Sequence, residues 1–152
     1  MDVSSLFTNM PLKKTLDICL DKLYSLADPP NLPGVVLRKL LEFATKKNHF
    51  LFDSKYDDQI DSVSMDSPLG LVLANIFMCD FEDKWLINAK ISLLFWNRCV
   101  DETFTVFSNK ESANEFLHYL DSCHSNIKFT DRTTPRFRFL DILVTRNRIT
   151  LS

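Results

Sequence analysis

The segment from Ile91 to Phe107, ISLLFWNRCVDETFTVF, predicts two hydrophobic strands joined by a tight corner. Both runs are rich in aromatic and branched residues, as buried strands are. Two adjacent acids, Asp101 and Glu102, stand at the corner between them. An acid pair in this position is either a solvated hairpin tip, which is the commoner case, or a place where cations are held. The rest of the chain has to decide between these two interpretations.

Length and composition indicate one ordered domain. The chain has 152 residues, of which 45% are apolar and 12% aromatic, enough to bury a core and to exclude disorder. The net charge of −2 conceals an asymmetry. Residues 51–83 carry eight acids against one lysine, whereas residues 126–152 carry six bases against two acids. The basic end either faces a polyanion or forms a solvated surface.

Cysteine usage and hydropathy restrict the cellular compartment in which the protein is expected. The four cysteines contain no C-x-x-C pair and the three histidines are unclustered, so neither a zinc site nor a disulfide framework is predicted. No secretory signal is visible. The longest apolar stretch, Leu69 to Cys79, is too short to span a bilayer. We therefore expect an intracellular protein without a membrane segment, in the nucleus or the cytoplasm.

Strand and helix patterns alternate along the chain without glycine-rich turns, which favours an α+β or α/β arrangement. Helical spacing predicts that Val36, Leu37, Leu40, Leu41 and Ala44 are buried. It also predicts that the first half of the helix after Ser67-Pro68 is deeply buried. The predicted elements are helices at about 11–26, 35–47, 67–88 and 111–123, a hairpin at 49–53 and 56–60, and strands at 92–96, 104–107, 127–130, 137–145 and 149–151.

Asp2 is a third acid of interest because it ends a short strand pattern at the start of the chain. Alone it would be an N-cap or an exposed acid. Together with Asp101 and Glu102 it offers three carboxylates on strand ends of one sheet. Such a cluster suits two hard divalent cations, which prefer oxygen ligands. Two metal ions bridged by carboxylates can activate an oxygen nucleophile and stabilise the leaving oxygen in phosphoryl transfer.

Three ordered segments resemble motifs A, B and C of a reverse transcriptase palm, most closely that of Penelope-like retroelements. They are Asp2 to Pro11, Ser64 to Phe77 and Cys99 to Phe104. The segments Asn126 to Thr130 and Phe139 to Arg146 resemble the strand and the block that follow in that family. The resemblance implies an α+β polymerase palm, with an antiparallel sheet packed on helices. It also implies a single partial domain over 1–152, with a hairpin-and-helix insert at about 33–66.

The resemblance further implies roles for individual residues. Asp2, Asp101 and Glu102 would be the catalytic carboxylates that hold two Mg²⁺ ions, or Mn²⁺. Phe7 would be an aromatic gate against the nucleotide sugar, although a core phenylalanine is an equal alternative. The resemblance also implies that template and nucleotide contact Gln59, Ser67 and Pro68. It implies that phosphates contact Arg136, Arg138 and Arg146. The implied partners are an RNA template, a DNA primer and deoxynucleoside triphosphates.

Several positions depart from the family pattern. Cys99 and Glu102 stand where tyrosine and aspartate are usual, Asp66 replaces a glycine, and Leu71 replaces a proline. Met1 directly precedes Asp2, so the expectation is an N-terminally truncated palm without complete fingers or thumb. Three hypotheses remain: an active RNA-directed DNA polymerase domain, an impaired fragment of one, and a non-catalytic nucleic-acid-binding remnant of the palm.

Overall fold

The computed structural model describes residues 1–46, 49–58, 63, 67–91, 93–131 and 136–145. The fold is mixed α+β, with an antiparallel sheet and helices, as predicted. The described elements are β1 (Asp2–Val3), α1 (Leu6–Asn9), α2 (Leu12–Tyr24), α3 (Gly34–Lys46), β2 (His49–Phe52), β3 (Lys55–Asp58), α4 (Gly70–Trp85), β4 (Leu93–Cys99), β5 (Glu102–Phe107), α5 (Lys110–Cys123), β6 (Phe129–Thr130), β7 (Arg136–Phe139) and β8 (Ile142–Thr145).

The chain forms two compact units, residues 1–4 with 89–152, and residues 5–88. The first unit contains a four-stranded antiparallel sheet in the order β4-β5-β1-β6. Sequence-distant β1 therefore lies between β5 and β6. The hairpin predicted around the acid corner is present, since β4 and β5 pair from Leu93 opposite Phe107 to Cys99 opposite Glu102.

Helix α5 covers one face of this sheet. Phe116 is fully buried, and its ring lies 5.2 Å from that of Phe107 and 6.0 Å from that of Trp96. At the end of the helix, the Asp121 carboxylate accepts a hydrogen bond of 2.8 Å from the backbone N–H of Phe129 in β6. The helix thus packs on the sheet and also fixes the short edge strand that lies next to β1.

The second unit is built on helices α2 and α4. The buried stripe of α2 contains Leu12, Leu16 and Leu20, as the helical spacing predicts. An ion pair between Arg38 and Asp17 joins α3 to α2. The hairpin of β2 and β3 also belongs to this unit, and it turns at Asp53 and Ser54.

Two burial predictions in the second unit hold only in part. In α3, Leu37 and Leu41 are half-buried, whereas Val36 is 42% exposed, Leu40 is 55% exposed and Ala44 is also exposed, so the helix presents an apolar stripe to solvent.

In the first half of α4, Leu73, Ala74 and Phe77 are buried as predicted, whereas Leu71 and Val72 are about half exposed. Helical periodicity identifies an apolar stripe, but it does not show whether another element covers that stripe.

The predicted strand at 137–145 is a hairpin of two strands, β7 and β8. Leu140 and Asp141 form its two-residue turn with φ of 49° and 63°. A turn with two residues at positive φ suits the right-handed twist of a hairpin and usually carries asparagine, aspartate or glycine. The broken alternation of apolar residues in this segment is compatible with a strand covered on both faces, but Arg138, Ile142 and Leu143 are exposed.

Candidate active site

Asp2 and Glu102 lie directly opposite each other on neighbouring strands. The preceding pair, Met1 and Thr103, exchanges two backbone hydrogen bonds of 2.9 and 2.7 Å. Asp2 and Glu102 therefore form the adjacent non-hydrogen-bonded pair, in which side chains on one face come closest. Their Cβ atoms are expected at about 4.5–5.5 Å in such a pair.

Asp101 lies in the turn that precedes Glu102. The pairing of Cys99 with Glu102 leaves Val100 and Asp101 as a two-residue loop. The backbone N–H of Val3 donates a hydrogen bond of 2.8 Å to the carbonyl oxygen of Asp101. Strand β1 consequently contacts both halves of the acid pair, by backbone hydrogen bonding at Asp101 and by cross-strand pairing at Glu102.

The backbone of Val100 has φ of 55°. A β-branched residue at positive φ is an outlier, since its Cβ crowds the following carbonyl group. The guanidinium Nη1 of Arg98 donates a hydrogen bond of 3.0 Å to the carbonyl oxygen of Val100. The turn that carries Asp101 is therefore held by a side chain from β4 as well as by β1.

The donor chemistry of the three acids fits hard divalent cations. Like charges directly opposite each other destabilise a sheet, so Asp2 and Glu102 cost stability unless a counter-charge lies near them. Asp2, Asp101 and Glu102 are each half-buried, and Oδ2 of Asp2 is shielded from solvent. Within the part of the chain that the structure describes, however, no three or more His, Cys, Asp or Glu side chains are arranged to hold a metal ion.

The face of the sheet that carries Asp2 and Glu102 is the one opposite α5. Side chains alternate along a strand, so Phe104 shares this face with Glu102. The Phe104 ring lies 5.7 Å from that of Phe95 and 5.8 Å from that of Phe139 on β7. An aromatic cluster of Phe95, Phe104 and Phe139 thus adjoins the acid pair on the same face.

Three residues predicted to contact nucleotide or template belong to the second unit. Phe7 is half-buried in α1, and its carbonyl accepts a hydrogen bond of 3.4 Å from the N–H of Val63. Ser67 accepts hydrogen bonds from the N–H groups of Leu69 and Gly70, through its hydroxyl and its carbonyl oxygen. Those two N–H groups are therefore engaged within the helix start, and Pro68 is exposed beside them.

The predicted phosphate contacts fall on the hairpin of β7 and β8. Arg136 and Arg138 are both exposed, and strand alternation places them on the face of β7 opposite Phe139. The two guanidinium groups therefore lie away from the ring that contacts Phe104. Gln59, Arg146 and the off-pattern Asp66 lie outside the described residues.

Sequence reasoning missed Arg98 and Thr103 as parts of this site. Thr103 is 3% exposed, and its hydroxyl donates a hydrogen bond of 2.5 Å to the Met1 carbonyl oxygen. Both residues are close in sequence to the acid pair, and that proximity was the only available signal. Their roles depend on which backbone carbonyl each side chain reaches, and residue type alone does not define this.

Comparison with family models, with curated proteins and with solved structures found no match. Across the described segments, no helix combines the length and the apolar character needed to cross a membrane.

Proposed function

We propose that this chain is the palm of a retroelement reverse transcriptase, an RNA-directed DNA polymerase, in a copy with impaired activity. The observation that carries the proposal is the pairing of Asp2 with Glu102 beside the turn that holds Asp101. The first and third of the resembling segments are about a hundred residues apart in sequence, yet they supply adjacent strands of one sheet. Two carboxylates directly opposite each other break a general rule of strand pairing, and natural proteins break such rules mainly at functional sites.

In this proposal Asp2, Asp101 and Glu102 would hold two divalent cations. Bound Mg²⁺ would activate a primer 3′-hydroxyl and stabilise the leaving phosphate oxygen. Strand β1 fixes the spacing of the acids through its hydrogen bond to Asp101 and its register with Glu102. Nucleotidyl transfer depends on positioning of this kind, because the protein contributes little covalent chemistry to phosphoryl transfer.

Two residues at the site support the proposal that this copy has impaired activity. Glu102 keeps the negative charge of the usual aspartate but extends the carboxylate by one methylene, and sites of this kind tolerate little displacement. Cys99, the cross-strand partner of Glu102, replaces the usual tyrosine. We therefore expect this chain alone not to extend a primer on an RNA template in Mg²⁺.

Binding of Mn²⁺, which broadens nearby resonances, tests the proposed site. In ¹H–¹⁵N spectra we expect Mn²⁺ to broaden the amides of Asp2, Asp101 and Glu102 first. Asp101→Asn should weaken this effect by about tenfold or more, since even loss of an outer-shell partner costs that much. Asp83→Asn, an exposed acid of α4, is the matched control and should leave the titration unchanged.

Broadening that begins at α4, or that survives Asp101→Asn, would contradict the proposed metal site. A primer-extension assay then addresses the polymerase itself. Restoring the family pattern with Asp66→Gly and Glu102→Asp should produce incorporation that Asp101→Asn abolishes. Failure of the restored protein to bind Mn²⁺ at these amides would reject the polymerase assignment.

The second candidate is a nucleic-acid-binding remnant of the palm without catalysis. It is favoured by the two exposed arginines of β7 and by the lack, among the described residues, of three acid, cysteine or histidine side chains arranged for metal binding. Exposed guanidinium groups bind phosphates without base specificity. This candidate predicts salt-dependent binding of duplex with no metal site at Asp101.

A further inference from the structure

We infer that Arg98 is a positioning residue for Asp101, acting through the carbonyl group of Val100. The expected effect of Arg98 on metal binding rests on the proposed function. Its expected effect on the conformation of the turn does not. The inference starts from the two-residue turn, in which Val100 has φ of 55°. Such a conformation persists in a β-branched residue only where the surrounding structure holds it.

Two hydrogen bonds fix the two carbonyl groups of this turn. The Val3 N–H donates to the Asp101 carbonyl at 2.8 Å, and the Arg98 guanidinium donates to the Val100 carbonyl at 3.0 Å. The first bond is ordinary strand pairing. The second bond is made by a side chain of β4, the strand that leads into the turn. It fixes the orientation of the peptide group between Val100 and Asp101.

The orientation of that peptide group determines where the Asp101 side chain leaves the backbone. If the Val100 carbonyl rotates away, φ of Asp101 changes with it, because both belong to one planar peptide unit. Arg98 therefore acts on the acid through the backbone. It lies opposite Thr103, on the alternate side of the sheet from Glu102, so we assign it no contact with a bound metal ion.

The test compares three variants at position 98. Arg98→Met removes the guanidinium and keeps an apolar stem, Arg98→Gln is a second variant that keeps a polar but shorter chain, and Arg98→Lys retains a donor that can reach the carbonyl. Lys84→Met on α4, an exposed lysine paired with Asp80, is the control for loss of one positive charge.

The first readout, without metal, is the nuclear Overhauser effect between Val100 Hα and the Asp101 amide proton, which depends on ψ of Val100 and therefore on the orientation of the peptide group. We expect its strength to be the same in the wild type and in Arg98→Lys, and to change in Arg98→Met and Arg98→Gln. The corresponding effect between Leu140 and Asp141, in the other two-residue turn, serves as an internal reference that should not change.

The second readout is Mn²⁺ affinity. Arg98→Met should weaken binding about tenfold, as loss of an outer-shell partner does, and Arg98→Lys should recover most of it. An unchanged signal between Val100 and Asp101 in both Arg98→Met and Arg98→Gln would overturn the inference. A changed signal with unchanged Mn²⁺ affinity would overturn the positioning of Asp101. Absence of Mn²⁺ binding in the wild type would reject the proposed function and the effect of Arg98 on metal binding, while the signal between Val100 and Asp101 would still decide whether Arg98 holds the turn.

Discussion

Tight turns in this protein are made without glycine. The chain has only two glycines, Gly34 and Gly70, and each begins a helix. Positive φ values are instead adopted by Ser5, Asp53, Ser54, Val100, Leu140 and Asp141. Aspartate accepts this region at modest cost, whereas valine and leucine are strained by about 1–3 kcal/mol each. The strain at Val100 falls beside the candidate catalytic acid, where strained residues tend to cluster.

A residue-level prediction concerns the thiol of Cys19, which is 7% exposed in α2. Burial raises its pKa above the ordinary value of 9.0, because the thiolate is disfavoured in the folded state. The unfolded chain releases this proton at lower pH than the folded chain. The stabilising contribution is therefore complete below about pH 9 and is lost as pH rises through the raised pKa.

Urea unfolding between pH 7 and pH 10.5 measures this effect. We expect the free energy of unfolding of the wild type to decline at the alkaline end. The free energy of unfolding of Cys19→Ala should start from a lower value and decline less. Cys79→Ala, a half-buried thiol replacement on α4, retains Cys19 and serves as the control. An equally steep alkaline decline in Cys19→Ala would show that Cys19 is not responsible.

At the scale of elements, α5 is the support on which the candidate site depends. It buries the face of the sheet opposite the acid pair and fixes β6 through Asp121. Strand β1 has only two residues and makes its ladder contacts with β5 and β6. Packing of α5 on β5 and β6 therefore stabilises the register that brings Asp2 opposite Glu102.

Phe116→Ala tests this dependence. The side chain is fully buried between the rings of Trp96 and Phe107, so truncation should lower the free energy of unfolding by about 3–5 kcal/mol. His118→Ala, an exposed position on the same helix, should change it by less than about 0.5 kcal/mol. Chemical denaturation of both variants makes the comparison. A loss below about 1 kcal/mol for Phe116→Ala would contradict the packing described.

Charge acts at the scale of the whole molecule. With a net charge of −2, the protein has no general attraction for nucleic acid, so any binding must come from a local basic surface. The exposed arginines of β7 are such a surface among the described residues. Each phosphate contact contributes about one unit to the slope of log affinity against log salt.

We therefore expect the affinity for a primer–template duplex to fall with rising salt. The double substitution of Arg136→Gln and Arg138→Gln should reduce the slope by about two units. Fluorescence anisotropy at several salt concentrations measures the slope, and Lys84→Gln on α4 is the control for charge. A flat salt response in the wild type would reject nucleic-acid binding, and an unchanged slope in the double variant would exclude these arginines.

Local patterns predicted much of the secondary structure. The strands on both sides of Asp101 and Glu102, the hairpin before α4 and the helix at 110–123 follow from hydrophobic periodicity and turn signals between neighbouring residues. The turn at Leu140 and Asp141 was missed because its residues, within an apolar run, give little turn signal. The segments that resemble motifs A and C also predicted that Asp2, Asp101 and Glu102 belong to one site.

Burial, register and backbone strain were decided by the tertiary structure. Val36 and Leu71 have the spacing of core residues, yet they are exposed because no described element covers them. The sequence supplied Asp2, Asp101 and Glu102 as candidates. Only the strand order β4-β5-β1-β6 placed Asp2 opposite Glu102 and brought Arg98 to the Val100 carbonyl. Pairing between residues a hundred positions apart depends on the packing of the whole unit, which local sequence preferences do not specify.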